Sequence, residues 1–156
     1  MQSDRLARAF AAASLGLIAG TALAHVFEMP HKLAMAGDTW LPIQSELYNG
    51  WGSKLLYLDI IAVVSLLYLV VISKNKRVLA LAAIILLLIA DVGVFLIWIR
   101  PTNIALDAWT QSLPMNNWTT LRSNWEWGHA VRFVLLTIAT ALAALTRLPS
   151  EKTTGC

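Results

Sequence analysis

Charge is scarce in this chain. Asp, Glu, Lys and Arg make up 13% of its 156 residues, about half the share found in soluble domains. With 58% hydrophobic residues and a mean hydropathy of +0.64, the chain lacks the polar residues to coat a water-facing domain. Cysteine is scarcer still: Cys156 alone excludes an intrachain disulfide framework. The terminal Thr-Thr-Gly-Cys also lacks the three residues after Cys that a prenylation box needs. No nucleotide-binding glycine loop is present, and Gly16 and Gly20 read as helix-packing residues. No basic patch alternates with exposed aromatic residues, so the net charge of +3 does not imply nucleic acid.

Long apolar runs are what the chain has in quantity. Four segments, about 6–28, 54–73, 78–100 and 127–147, approach the roughly 20 residues that cross about 30 Å of hydrocarbon as a helix. Backbone in lipid must satisfy its own hydrogen bonds, which selects helices over open strands. The expected fold is all-α: an integral membrane four-helix bundle, one membrane domain over 1–156 in contact with the lipid bilayer.

Basic residues set the expected orientation. Arg5, Arg8, Lys74, Lys76, Arg77, Arg147 and Lys152 fall at the termini and in the middle loop; Lys32, Lys54, Arg100 and Arg122 fall in the other two loops. This bias predicts cytoplasmic termini in an inner or plasma membrane and extracytoplasmic long loops. The start of the chain also resembles a signal peptide, with Ala22-Leu23-Ala24 before His25. Cleavage there would free the amine of His25 to bind copper beside its imidazole. Against that, Ala12, Gly16, Gly20 and Ala24 recur every four residues, a stripe suited to close helix packing. The segment is therefore read as the first span.

Pro30 is expected to end that span at Met29. Trp40, Ile43, Leu47, Tyr48 and Trp51 then recur at helical spacing between a possible cap, Thr39, and Gly50. They predict an amphipathic surface helix over about 39–50, its aromatic rings at headgroup depth. The second long loop runs from Pro101 to about Gly128 and carries Trp109, Trp118, Trp125 and Trp127. The two loops together would form a Trp-rich cap. The spacing Trp118, Leu121, Trp125 brings the start of the last helix back towards Trp118.

Ionisable residues gather at one end of the predicted bundle. His25 and Glu28 lie one turn apart on the first helix; Arg122, Glu126, His129 and Arg132 share a face of the last. Asp59 and Asp91 join them from the other two spans as buried-charge candidates. The local pairings are Glu126 with Arg122 at i,i+4, and Asp91 or Asp59 with Arg132. Glu28, at the negative end of a helix dipole, needs Lys32, Arg122, Arg132 or a metal. His25, Glu28, Glu126 and His129 together offer a ligand set for Fe, Zn or Mn, and His25 with His129 offers bis-imidazole haem ligation. The plainer alternative is a polar cluster that only specifies helix pairing.

The stretch His25-x-x-Glu28-x-Pro30-x-Lys32-Leu33, then Gln44-x-x-Leu47-Tyr48, Asn103, Trp109, Trp118, Arg122 and Trp125-Glu126-x-x-His129-x-x-Arg132 resembles the anthrone-oxygenase-like family. The resemblance covers about residues 16–146 and implies a small four-helix membrane protein. Family members with known chemistry oxidise the activated methylene of polyketide anthrones with O₂, without a flavin. The resemblance therefore implies an oxidoreductase acting on a lipophilic aromatic substrate. It makes His129 or His25 the base, with Glu126 or Glu28 setting its tautomer. Arg132 or Arg122 would stabilise developing phenolate or peroxide charge. Trp40, Trp109, Trp118, Trp125, Tyr48 and Asn103 would line the substrate pocket. The competing class is a non-enzymatic accessory subunit or small-molecule binder, in a homo-oligomer or a larger membrane complex.

Overall fold

The apolar runs become helices, and the described residues contain no strand. The computed structural model describes residues 2–72, 76–109 and 116–146; Lys74, Arg147, Lys152 and Cys156 lie outside them. Helix α1 spans Gln2–Ala34, α2 Gly37–Leu47, α3 Trp51–Ile72 and α4 Arg77–Leu88. Without a break, α4 widens into a π-helical segment, Ile89–Ile99, and tightens again into α5, Arg100–Asp107. Helix α6 spans Trp118–Leu145. Four stretches are long and apolar enough to cross a membrane: Gln2–Ala34, Trp51–Ile72, Arg77–Asp107 and Trp118–Leu145.

These four close a ring, α1 packing on α6 and α3, and α4 on α3 and α6. The core alternates Leu15, Ile18, Leu66, Leu69, Leu87 and Leu136 with Ala11, Ala62, Ala80, Ala83 and Ala139, all buried. Small residues let the backbones approach where the leucines fill the gaps. Leu17, Val64, Val71, Val78, Ile97 and Val134 point outward, so the helices are apolar on both faces, as a surface in contact with lipid requires.

Several local expectations are overturned. Helix α1 does not stop at Met29 but continues through Pro30 to Ala34. Its end is held from outside, because Arg122 Nη1 donates to the carbonyls of Lys32 (3.0 Å) and Met35 (2.5 Å). The small-residue stripe is not the buried face: Gly16, Gly20 and Ala24 are exposed and Ala12 is half-buried, and α1 buries Ala11, Leu15, Ile18, Ala22 and His25 instead. Nor does the third span end at Arg100. The backbone ladder shifts by one residue so that the Arg100 N–H bonds the Phe95 carbonyl. Pro101 then opens a new helical turn, where its missing N–H is not needed.

Helix α2 is close to the range expected for the surface helix, but part of its apolar face turns into the protein. Trp40, Leu41 and Gln44 are buried, and Thr39 is not the cap, since Ala36 holds that position without a side-chain bond. Gly50 turns the chain into α3 at φ 73°, where a side chain would be strained.

Two packing details shape the polar end. A Cβ on Gly128 would lie 2.9 Å from Ile99 Cγ1, so α6 meets the π segment at glycine distance. By contrast, α3 packs on α4 but scarcely meets the π segment. The two diverge towards the polar end and leave a cleft between them.

Candidate functional site

The last turns of α1 place His25, Glu28 and Lys32 along one helical face (i, i+3, i+7). Lys32, buried to 3% exposure, sets its ammonium 2.7 Å from Glu28 Oε2 and 3.4 Å from His25 Nδ1. The same ammonium stands 4.0 Å from the centre of the Tyr48 ring and 4.9 Å from that of Trp125, so cation–π attraction adds to the ion pair. Glu28 therefore finds its cation on its own helix. The Tyr48 hydroxyl donates to Glu28 Oε2 at 2.5 Å. Burial, reinforced by that bond to a carboxylate, raises the Tyr48 pKa above its ordinary value.

Helix α6 brings Trp125 and His129 against this box. The ring centres of His25 and His129 are 4.1 Å apart, those of Trp125 and His129 4.2 Å, and those of His25 and Trp125 4.6 Å. The Trp125 N–H donates to Asn103 Oδ1 at 3.1 Å, fixing the indole. His129 is 7% exposed, and neither of its ring nitrogens has a hydrogen-bond partner. One turn deeper, Arg132 Nε donates to Asp91 Oδ1 at 2.7 Å and Nη2 bonds the same oxygen. Asp59 lies within electrostatic reach of both.

These groups line a half-open cavity of about 370 Å³. Thr21 and His25 come from α1, Leu55, Leu56 and Asp59 from α3, Asp91, Phe95 and Ile99 from the π segment, and Trp125, His129 and Arg132 from α6. The lining thus spans the cleft where α3 and the π segment diverge. A smaller chamber of about 160 Å³ adjoins it, sharing Tyr48, Gly52, Asn103 and Trp125 and adding Gln44, Ser45, Asn49 and Asp107.

Of the residues singled out from sequence, His25, His129, Arg132, Tyr48, Trp125, Asn103, Asp59 and Asp91 meet at the cavity. Others do not. Trp40, Trp109 and Trp118 pack with Leu41, Leu106 and Met35 in a separate cluster, because α2 turns its apolar face inward. Glu126 is 1% exposed, and neither carboxylate oxygen has a hydrogen-bond partner. It does not pair with Arg122, whose donors go to the end of α1, and it does not orient His129. Glu28 approaches His25 Nδ1 only at 3.5 Å, with the Lys32 ammonium competing for the same nitrogen. Sequence reasoning missed Thr21, Trp51, Phe95 and Ile99 as cavity residues. Thr21 carried a usable signal, lying one turn before His25.

The metal and haem readings fit poorly. No group of three or more His, Cys, Asp or Glu side chains among the described residues is arranged to hold a metal ion. Lys32 sits where a cation between His25 and Glu28 would sit. A metal–imidazole bond is about 2 Å long, so two axial imidazoles stand with centres roughly 6 Å apart; the 4.1 Å between His25 and His129 leaves no room for a haem. Comparison with protein-family models, curated proteins and solved structures finds no match to this chain.

Proposed function

We propose that this protein is a membrane oxidoreductase of the anthrone-oxygenase type, acting on a flat, lipid-soluble aromatic with an acidic methylene. The supporting observation is His129, buried at the wall of a half-open cavity with both ring nitrogens unbonded. An imidazole nitrogen with no hydrogen-bond partner is free to take a proton from a ligand held beside it. His25 is the weaker candidate, because Lys32 stands against its Nδ1.

The reaction proceeds without an added reductant. His129 takes a methylene proton, and the electron pair left on carbon delocalises onto the substrate's carbonyl oxygen. Arg132 stabilises that negative charge. The carbanion carbon adds O₂, the resulting peroxide anion takes back the proton from His129 to become a hydroperoxide, and loss of the second methylene proton with the distal oxygen as hydroxide leaves a ketone and water. The balance is CH₂ + O₂ → C=O + H₂O. Carbon gives up four electrons and O₂ accepts four.

The substrate reaches the cavity from lipid through the cleft between α3 and the π segment. The polar end is extracytoplasmic in a plasma or inner membrane, under a Trp-rich cap, with both termini cytoplasmic. A cysteine placed at Asp107 should react with an impermeant maleimide from outside, and one at Asn75 should not; the reverse pattern overturns this orientation. The second reading, a non-enzymatic accessory subunit, draws on the Lys32 box. That box ties α1, Tyr48 and Trp125 together without any ligand.

Purified protein in lipid nanodiscs should consume O₂ with anthrone and form anthraquinone faster than empty nanodiscs do. His129→Asn should lower that rate by about 100-fold or more, the scale of general-base catalysis, with the helical signal unchanged. An unaltered rate in His129→Asn removes the base from the mechanism. No O₂ uptake by the wild type favours the accessory reading.

A further inference from the structure

The small chamber beside the cavity contains a polar side chain with nothing to bind. Gln44 is 3% exposed, lines the chamber, and neither its amide nitrogen nor its amide oxygen has a hydrogen-bond partner. Burying an unpaired amide is costly, so such a group marks a place where a partner belongs. Gln44 on α2 lies one turn before Tyr48, the residue that closes that helix, and Tyr48 belongs to both the chamber and the cavity. The two spaces therefore share a wall, the larger apolar in most of its lining and the smaller polar.

We propose that the chamber is a subsite for the polar end of the ligand whose aromatic body fills the cavity, and that Gln44 recognises there a neutral hydroxyl or carbonyl group. An amide presents a donor and an acceptor side by side, which suits a hydroxyl that both gives and takes a hydrogen bond. Ser45 and Asn49 extend the same neutral surface. The Asp107 carboxylate, which also belongs to the lining, repels an anionic end, so the subsite selects against carboxylates and phosphates. The ligand class is an amphiphile: a planar apolar body reaching the cavity from lipid and a short neutral polar arm at the membrane surface. This rests on the reading of the cavity as an aromatic site, but not on any oxidation occurring there.

Three probes separate the contributions: anthraquinone, 2-(hydroxymethyl)anthraquinone and anthraquinone-2-carboxylate. Each is titrated into protein in nanodiscs, with quenching of tryptophan fluorescence as the readout. Wild-type protein should bind the hydroxymethyl probe about 2- to 10-fold more tightly than the parent, the value of one neutral hydrogen bond. It should bind the carboxylate less tightly than the parent. Gln44→Leu should erase the hydroxymethyl preference while leaving the parent's Kd unchanged, which also shows that the variant is folded. Asp107→Asn should relieve the penalty on the carboxylate. Equal binding of parent and hydroxymethyl probes by the wild type overturns the subsite, as does a preference that survives Gln44→Leu. Failure of all three probes to bind overturns both the subsite and the aromatic cavity. A preserved preference without O₂ uptake upholds the subsite and refutes only the oxidase.

Discussion

Removing the positive member of the Arg132–Asp91 pair should harm the fold more than removing the negative one. The two side chains are 9% and 12% exposed, so water screens them little. Breaking a buried pair from one side costs roughly 3–5 kcal/mol, because the other charge is left without compensation. Arg132→Met removes the cation that both Asp91 and the neighbouring Asp59 face, so the full cost of roughly 3–5 kcal/mol is expected. Asp91→Asn is different: Arg132 still has the Asp59 carboxylate within reach. Its cost should be that of a charged hydrogen bond, about 1.5–3 kcal/mol. Replacing both residues, as Arg132→Met with Asp91→Leu, should recover most of the loss, since apolar side chains of similar size replace a buried pair at little net cost. Unfolding midpoints in mild detergent, followed by circular dichroism, give the ordering. If Asp91→Asn is as damaging as Arg132→Met, the idea of Asp59 as a reserve partner is wrong. If the double variant is no more stable than Arg132→Met, the pair is not what governs this part of the bundle.

Two further outcomes follow from side chains at the polar end. Arg122→Ala should uncap α1 and cost about 1.5–3 kcal/mol; hydrogen exchange should then quicken at residues 32–36, and unchanged protection there would show that α1 passes Pro30 unaided. Tyr48 titrates in the opposite sense to a salt-bridged acid. Its folded pKa is raised above the unfolded value of about 10, so its contribution is complete below about pH 10 and is lost as pH rises beyond it. Wild-type stability measured against Tyr48→Phe should be flat up to that point and then fall; a difference that stays level, or grows, contradicts the Glu28 bond.

The proline and tryptophan positions show where local rules gave way. Pro30 and Pro101 were both read as helix ends, on a rule concerning only the residue before proline and its own missing N–H. Arg122, some 90 positions along the chain, supports the helix beyond Pro30, and a one-residue shift in the ladder accommodates Pro101. Neither device leaves a trace in the local sequence. Tryptophan is equally at home in a headgroup belt and in a core, and helical spacing is the same in both. Periodicity therefore could not separate Trp125, fixed by Asn103 at the cavity wall, from Trp40, buried in a different cluster. The Glu126–Arg122 pairing failed for a related reason. An i,i+4 spacing makes a contact available, but two backbone carbonyls at the end of α1 compete for the same guanidinium.

Four apolar helices, the segregation of the ionisable residues to one end, and the shared faces of His25 with Glu28 on α1 and of Arg122, Glu126, His129 and Arg132 on α6 were legible in the amino-acid order. Those follow from composition, from the length of helix that crosses hydrocarbon and from a period of 3.6, all properties of a single segment. Packing between helices settled that Lys32 would fill the space between His25 and Glu28, that Asp91 rather than Asp59 would hold Arg132, and that α3 and the π segment would part to open a cavity. Each of those is a choice among partners that one helix offers equally. It is made by which helix packs beside it, and at what distance Gly128 and the core alanines allow.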